Sequence, residues 1–305
     1  EASKVVSRHS AMSPARRREA LAGYLFISPW ILGFLLFTLL PMVASLGLSF
    51  FKWDMLSPAE FVGWENLQKL ASDRYFKAAI RVTLIYTFTS VPLGIAVGFG
   101  IALMLNQKIK ALSIWRTIYY LPAVISGVAV SLLWSWVFNP DFGLLNEGLR
   151  TLGVSDPPGW LSDRHWALPA MILMQLWSAG GGMVVYLAGL QSVPTQLYEA
   201  ATIDGAGVWH RFAHITVPMM TPVLFFQTVM GMINAFQTFT QAYVMTEGGP
   251  SNATLFYVLY LYKQAFQSYK MGYACVLAWV LFLIILALTV LLFSTSRRWV
   301  FYSDN

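Results

Sequence analysis

Asn234, Thr238 and Gln241 fall at i, i+4 and i+7 of one apolar stretch, the spacing that places three polar side chains on one face of a helix. Uncharged amides and a hydroxyl, with Gln237 beside them and Phe236 and Phe239 nearby, suit recognition of a polyhydroxylated solute rather than covalent chemistry. The competing use of each side chain is a hydrogen bond between neighbouring helices. Other chemistries find less support. His210 and His214 stand four apart and could share a helical face, yet no third metal ligand lies near them in sequence, so ordinary surface histidines are the expectation. The dipeptide Gly-Lys never occurs, which excludes a phosphate-cradling GxxxxGKS/T loop, and the one cysteine, Cys275, allows neither an internal disulfide nor a cysteine-based metal site.

The elements that must hold such a polar face are membrane helices. Of the 305 residues, 57% are hydrophobic and 11% charged, and the mean hydropathy is +0.59. A soluble domain carries about a quarter charged residues. Uncharged windows run from Leu21 to Phe51, Val82 to Gln107, Thr117 to Pro140, His165 to Tyr198, Phe212 to Thr246 and Met271 to Ser296. Each exceeds the roughly 20 residues that cross a hydrocarbon core, so the windows predict an all-α transmembrane fold of six helices. The polar ends 191–198 and 212–218 should lie outside the bilayer. Glu247 to Tyr262 is too broken by Gly248-Gly249-Pro250 for a seventh span, and reads as a loop followed by a short interfacial or re-entrant segment. The first window follows Arg16-Arg17-Arg18 but is too long for a signal peptide and lacks a small-residue cleavage site, so it should remain as an anchor. Gly94 and Gly98 have the small-xxx-small spacing that permits close helix approach.

No window contains Asp, Glu, Lys or Arg, which argues against proton or ion coupling and against paired-carboxylate catalysis within the bilayer. The net charge of +6 is spread over scattered Lys and Arg with no groove-sized patch, so it sets topology and excludes nucleic-acid binding. With six crossings both termini share a side, and the basic N-terminus together with Arg297-Arg298 favours the cytoplasm. Lys52 to Arg81 and Asp141 to Arg164 are then outer loops. The first carries Trp53, Phe61, Trp64 and Tyr75 among mixed charges and reads as an amphipathic surface segment; neither is large enough for an extra domain.

Between the fourth and fifth windows, Pro194 fits the first turn of a helix and Gly205 or Gly207 its end, giving a segment of about ten residues that is too short to be stable alone in water. Such a helix needs a partner surface, and Ala200 and Ala201 would let one approach its backbone closely. On these physics alone a simple elbow between two spans stays open. Trp209, Phe212 and Thr216 then recur at helical spacing before Pro218 and Pro222 open the fifth span.

Glu199-Ala200-Ala201, three residues, Gly205, nine residues, Ile215, one residue and Val217-Pro218 resembles the EAA motif of permease subunits of binding-protein-dependent ATP-binding-cassette importers, with Val217 where that family usually has Leu. Further stretches resemble the carbohydrate-uptake group, maltose-type first permease. They are Ala22 to Pro29 with Gly33-Phe34 and Pro41, Val62 to Asn66, Thr246 to Pro250 and Gly272-Tyr273-Ala274. The chain lacks the two extra N-terminal spans and the large periplasmic insertion of the enterobacterial maltose subunit, and looks like the six-span glycerol-phosphate, lactose and multiple-sugar permeases.

The resemblance implies a six-helix type I importer permease in a prokaryotic inner membrane. It divides the chain into an N-terminal cytoplasmic tail (1–20), a permease domain (21–296, with its coupling loop at 192–218) and a C-terminal tail (297–305). It implies partners as well: a second permease of the same type, two ATPase subunits that bind ATP and Mg, and an extracytoplasmic sugar-binding protein. This chain would itself hold no cofactor and catalyse nothing. Glu199, Ala200, Ala201, Asp204 and Gly205 would transmit motion from the ATPase. The sugar path would include Gly231, Asn234, Ala235 and Thr238, with Gln237 and Gln241 beside them and Trp177 and Gly180 from the Trp177 to Gly182 segment. The absence of a cation at depth favours a neutral sugar. The alternatives are a channel or scaffold not driven by ATP, whose loop helix binds some other protein, and an ion-coupled carrier, which the charge-free windows disfavour.

Overall fold

The computed structural model describes residues 14–107 and 109–301. Expectations for tail residues 1–13 and 302–305, and for Lys108 in the loop after the second window, lie outside the described residues. The described residues are mostly helical. The principal helices are α1 (Arg18–Leu48), α2 (Glu65–Ser72), α3 (Arg74–Leu105), α4 (Leu112–Val124), α5 (Gly127–Val137), α6 (Leu144–Thr151), α7 (Ala167–Ser192), α8 (Thr195–Ile203), α9 (Val208–Met245), α10 (Tyr257–Tyr262) and α11 (Met271–Ser296). A two-stranded hairpin, β1 (Phe51–Lys52) against β2 (Glu60–Phe61), sets Phe51 opposite Phe61 and Lys52 opposite Glu60.

Among the described residues, α1, α3, α7, α9 and α11 are each long and apolar enough to cross a membrane. The third window, expected to form one helix, forms two. These are α4 and α5, which meet at 100° and make the sixth crossing when taken as one broken span. Ile125 and Ser126 take extended backbone, and the Ser126 hydroxyl accepts from the Ala129 amide, so a new helix starts at that point in a new direction. Hydropathy reports how many apolar residues there are and carries no information about their direction.

Interior contacts centre on α3, which lies against α7 and α9. A Cβ added at Gly98 would stand 2.8 Å from the Ala179 carbonyl oxygen, so the bare backbone there is what lets α3 and α7 meet. Gly94, by contrast, faces open space. One core joins α3, α9, α10 and α11 around Tyr86, Phe236, Phe256, Tyr257 and Leu277; a second joins Phe99 and Leu105 to Met183, Leu190 and Met220 near α8.

The stretch after Gly248-Gly249-Pro250, read from the sequence as a loop and a short interfacial or re-entrant segment, packs into the core of the chain. Phe256, Tyr257 and Leu259 are fully buried, the Tyr257 amide donates to Thr83 Oγ1 at 2.9 Å, and its hydroxyl donates to the Leu277 carbonyl at 2.8 Å. Thr83 thereby satisfies a backbone amide that burial would otherwise leave without a partner. α1 is the opposite case, for no residue of its apolar window is buried by the rest of the chain.

Candidate functional site

A cavity of about 430 Å³ opens between α3, α7 and α9. Its α9 wall is made by Gly231, Asn234, Ala235, Gln237, Thr238 and Gln241, so all the span-five residues singled out from the sequence line one space. Helical register accounts for most of this, and a break does the rest. α9 loses its helical form at 237–239, where Phe239 has φ −135° and ψ −59°, which lets Gln237 share a wall with Asn234 and Gln241.

Of the opposite walls, the sequence reading had only the Trp177 to Gly182 segment, of which Ser178 and Gly182 face the space. Tyr86, Ser90 and Gly94 come from α3, and Gln175, Ser178, Gly182 and Tyr186 from α7. Tyr86 shares the lining with Ser90 and Thr238, and Tyr186 shares it with Gln227. The lining holds hydroxyls, amides and aromatic edges and no charged side chain. Such a surface recognises a solute by hydrogen bonding rather than by charge. Trp177 and Gly180 point away from this space. Trp177 meets Trp134 at 5.9 Å between ring centroids, and a Cβ on Gly180 would stand 2.1 Å from the Tyr119 carbonyl oxygen, so both belong to the contact with α4 and α5.

At the end of α9 remote from the break, α8 runs from Thr195 to Ile203, one residue after Pro194. Gly205 has φ +77°, its amide donates to Thr202 at 3.1 Å, and the Ala206 amide donates to Ala201 at 2.8 Å. That pair of bonds closes the helix as a Schellman cap, which glycine favours because it adopts positive φ without strain. Two side-chain links tie α8 to the start of α9: Tyr198 shares a hydrogen bond with Thr216 at 3.0 Å, and Arg211 donates to Thr202 Oγ1 at 2.9 Å. Glu199, Ala200, Asp204 and Gly205 are exposed and Ala201 is half-buried. Beside them Ile203, Val208 and Trp209 are 86%, 72% and 81% exposed, an apolar surface that none of the described residues covers.

His210 and His214 do share a face, with rings stacked at 4.0 Å, and among the described residues no group of three or more His, Cys, Asp or Glu is placed to hold a metal.

The end opposite α8 is fastened by one carboxylate. Asp73 caps α3 by accepting from the Tyr75 amide at 2.8 Å, while its Oδ2 accepts from the hydroxyls of Tyr260 and Tyr273. Burial works to raise its pKa, but the two hydroxyls and the Phe76 and Tyr75 amides outweigh it and hold the group below the usual carboxylate range. In the hairpin turn Asp54 is held at about 2, chiefly by the Ser57 amide and hydroxyl.

Comparison with known proteins matches residues 90–300 to the family described as binding-protein-dependent transport system inner membrane component. The chain is 42% identical over 301 residues to the probable ABC transporter permease protein YesP of Bacillus subtilis (strain 168), covering 97% of each chain. It is 36% identical to the lactose transport system permease protein LacF of Rhizobium radiobacter, covering 95% of this chain and 98% of that one. Among solved structures, it superposes with a TM-score of 0.81 on a chain of a bacterial alginate ABC transporter in complex with an alginate pentasaccharide-bound periplasmic protein. The identity there is 26%, over 92% of this chain and 96% of the other. With its broken third span, its charge-free cavity and its exposed loop helix, the chain belongs to the binding-protein-dependent transport system inner membrane components, the multi-pass permeases of ABC importers.

Proposed function

We propose that this chain forms half of the translocation path of a sugar importer and is driven through α8 by a separate ATPase. One observation carries the reading: α9 joins the exposed loop helix at one end to the wall of the polar cavity at the other. Roughly 40 Å of helical rise separates Val208 from Asn234. Because α8 is capped and doubly bonded to α9, a push on its exposed apolar surface moves the cavity wall instead of bending the loop. Glu199 offers the ATPase a polar contact and Asp204 a second, while Ala200, Ala201 and Gly205 keep the backbone open to close approach.

Alternating access then follows as a rigid-body shift between two arrangements, in which ATP-driven closure of two ATPase subunits draws this loop toward that of a second, similar permease. A sugar-binding protein delivers the solute at the opposite face. Relatives carrying lactose and alginate names support a carbohydrate cargo. Hydroxyls and amides in this half of the cavity support a solute held by its own hydroxyl groups. The reading places α8 and both termini in the cytoplasm.

The test is reconstitution with the second permease, the ATPases and the binding protein. Glu199→Lys should abolish binding-protein-stimulated ATP hydrolysis and uptake while the subunit still inserts and assembles. Full uptake by that variant would remove α8 as the coupling element. In a Cys275→Ser background, Gln196→Cys should resist a membrane-impermeant thiol reagent in intact cells, and labelling from outside would reverse the orientation.

A further inference from the structure

Arg116 lies in the first turns of α4, and its Nε is withdrawn from solvent without a hydrogen-bond partner. Guanidinium stays charged at any physiological pH, and a buried donor left unmet is destabilising, more so when charged. Among the described residues nothing accepts from that Nε, so an acceptor brought from outside would complete it. Beside it a groove of about 520 Å³ runs between α4 and α7, with Leu121, Val124, Val184 and Leu187 on its walls and Gln191 at the Arg116 end. Leu121, Val124 and Val184 remain 56%, 68% and 52% exposed, so the groove opens sideways from the chain. No carboxylate lines it, and none occurs in the sequence from Asn106 to Pro140.

The dimensions narrow the occupant. Arg116 stands four residues into α4, about 6 Å from the helix start, and Val124 lies about 12 Å further along the axis. A cation at interfacial depth followed by an apolar wall spanning most of one leaflet, itself about 15 Å thick, fits a phosphate carrying an acyl chain. A free phosphate would leave the apolar walls uncovered, and a sugar would leave the guanidinium without an anion. Exposed Lys110, near the same end, adds positive charge and favours an anionic headgroup over a zwitterionic one.

We propose that this groove is a binding site for an anionic phospholipid, with its phosphate on Arg116 and one acyl chain between α4 and α7. The site is independent of which face of the membrane α8 occupies and of what the cavity carries.

Native mass spectrometry of the assembled transporter, exchanged into detergent with equimolar phosphatidylglycerol and phosphatidylcholine, tests it. The wild-type complex should retain phosphatidylglycerol preferentially. Arg116→Gln should lower that retention about tenfold, as expected for loss of a charge-assisted phosphate contact. Arg297→Gln, remote from the groove, should leave it unchanged. Leu121→Trp fills the groove with the charge intact and should lower retention as well, which covers the case in which Arg116→Gln fails to assemble. Unchanged retention in both groove variants would overturn the proposal. So would efficient cross-linking of Val184→Cys, in a Cys275→Ser background, to the second permease, since protein would then occupy the groove.

Discussion

Tyr273 donates its hydroxyl to Asp73 Oδ2 at 2.6 Å, joining the start of α11 to the cap of α3 across 200 positions of sequence. Tyr260 donates to the same oxygen, so one carboxylate fastens three segments at the end opposite α8. Its pKa lies below the usual range, so the folded state binds the proton less readily than the unfolded chain. The stabilisation is therefore fully present above the unfolded pKa of about 4 and is lost as pH falls through the lower folded value. Thermal unfolding of the purified subunit should be insensitive to Asp73 between pH 7 and 5 and should weaken below about pH 4. Asp73→Asn should flatten that acid limb and cost about 1–2 kcal/mol at neutral pH. An unchanged acid limb in the variant would remove Asp73 as its source.

Two glycines one helical turn apart should respond differently to the same change. At Gly98 a methyl group would sit 2.8 Å from the Ala179 carbonyl and 3.0 Å from the Tyr186 ring, whereas at Gly94 it would meet nothing within 4 Å. Gly98→Ala should destabilise the subunit by about 1–3 kcal/mol in detergent melts. Gly94→Ala should be neutral or slightly stabilising, because alanine is the better helix former. Equal melting of the two variants would show that the α3–α7 contact is loose.

Removing one cavity side chain should alter recognition and leave assembly intact. Asn234→Ala and Thr238→Ala each delete polar groups worth about 1 kcal/mol toward a hydroxylated solute, so uptake KM should rise about fivefold for each. Tyr86→Phe should act in the same direction by removing a hydroxyl from the lining. Trp177→Phe should leave KM unchanged, since that ring faces Trp134. Radiolabelled uptake in proteoliposomes distinguishes the cavity set from the control.

The loop should be sensitive where its cap is strained by a side chain. Gly205→Ala places a Cβ at φ +77°, costing about 1 kcal/mol and fraying the last turn of α8. Uptake per ATP hydrolysed should fall in a reconstituted complex, and amide exchange over 195–206 should quicken. Thr202→Val, which removes the Arg211 link, should act in the same direction and less strongly. Normal stoichiometry in both would show that the rigidity of α8 is irrelevant to coupling.

The order of the membrane segments was readable because uncharged runs longer than a bilayer crossing have few other uses, and the cavity face of α9 was readable because Asn234, Thr238 and Gln241 repeat at helical spacing. What escaped notice depends on contacts between segments. Gln175 and Gln227 are single amides in apolar runs, and nothing local reveals that each faces the same space as Tyr86 or Tyr186. The bend after Val124 had only Pro122 and Ser126 as signals, both tolerated inside ordinary membrane helices. The family resemblance covers the whole Trp177 to Gly182 segment without saying which residues face the cavity; the three-residue turn at Ser178–Gly182 sets neighbouring residues on different sides, so Ser178 and Gly182 face inward and Trp177 and Gly180 do not.

The break at 237–239 gives α9 two mechanical regimes. Below it, on the proposed coupling, a displacement applied at Val208 would pass along continuous helix to Asn234, so a substitution in that stretch would touch recognition and stroke together. Above it, Gln241 sits past the joint, where a change of side chain would leave the proposed stroke as it was.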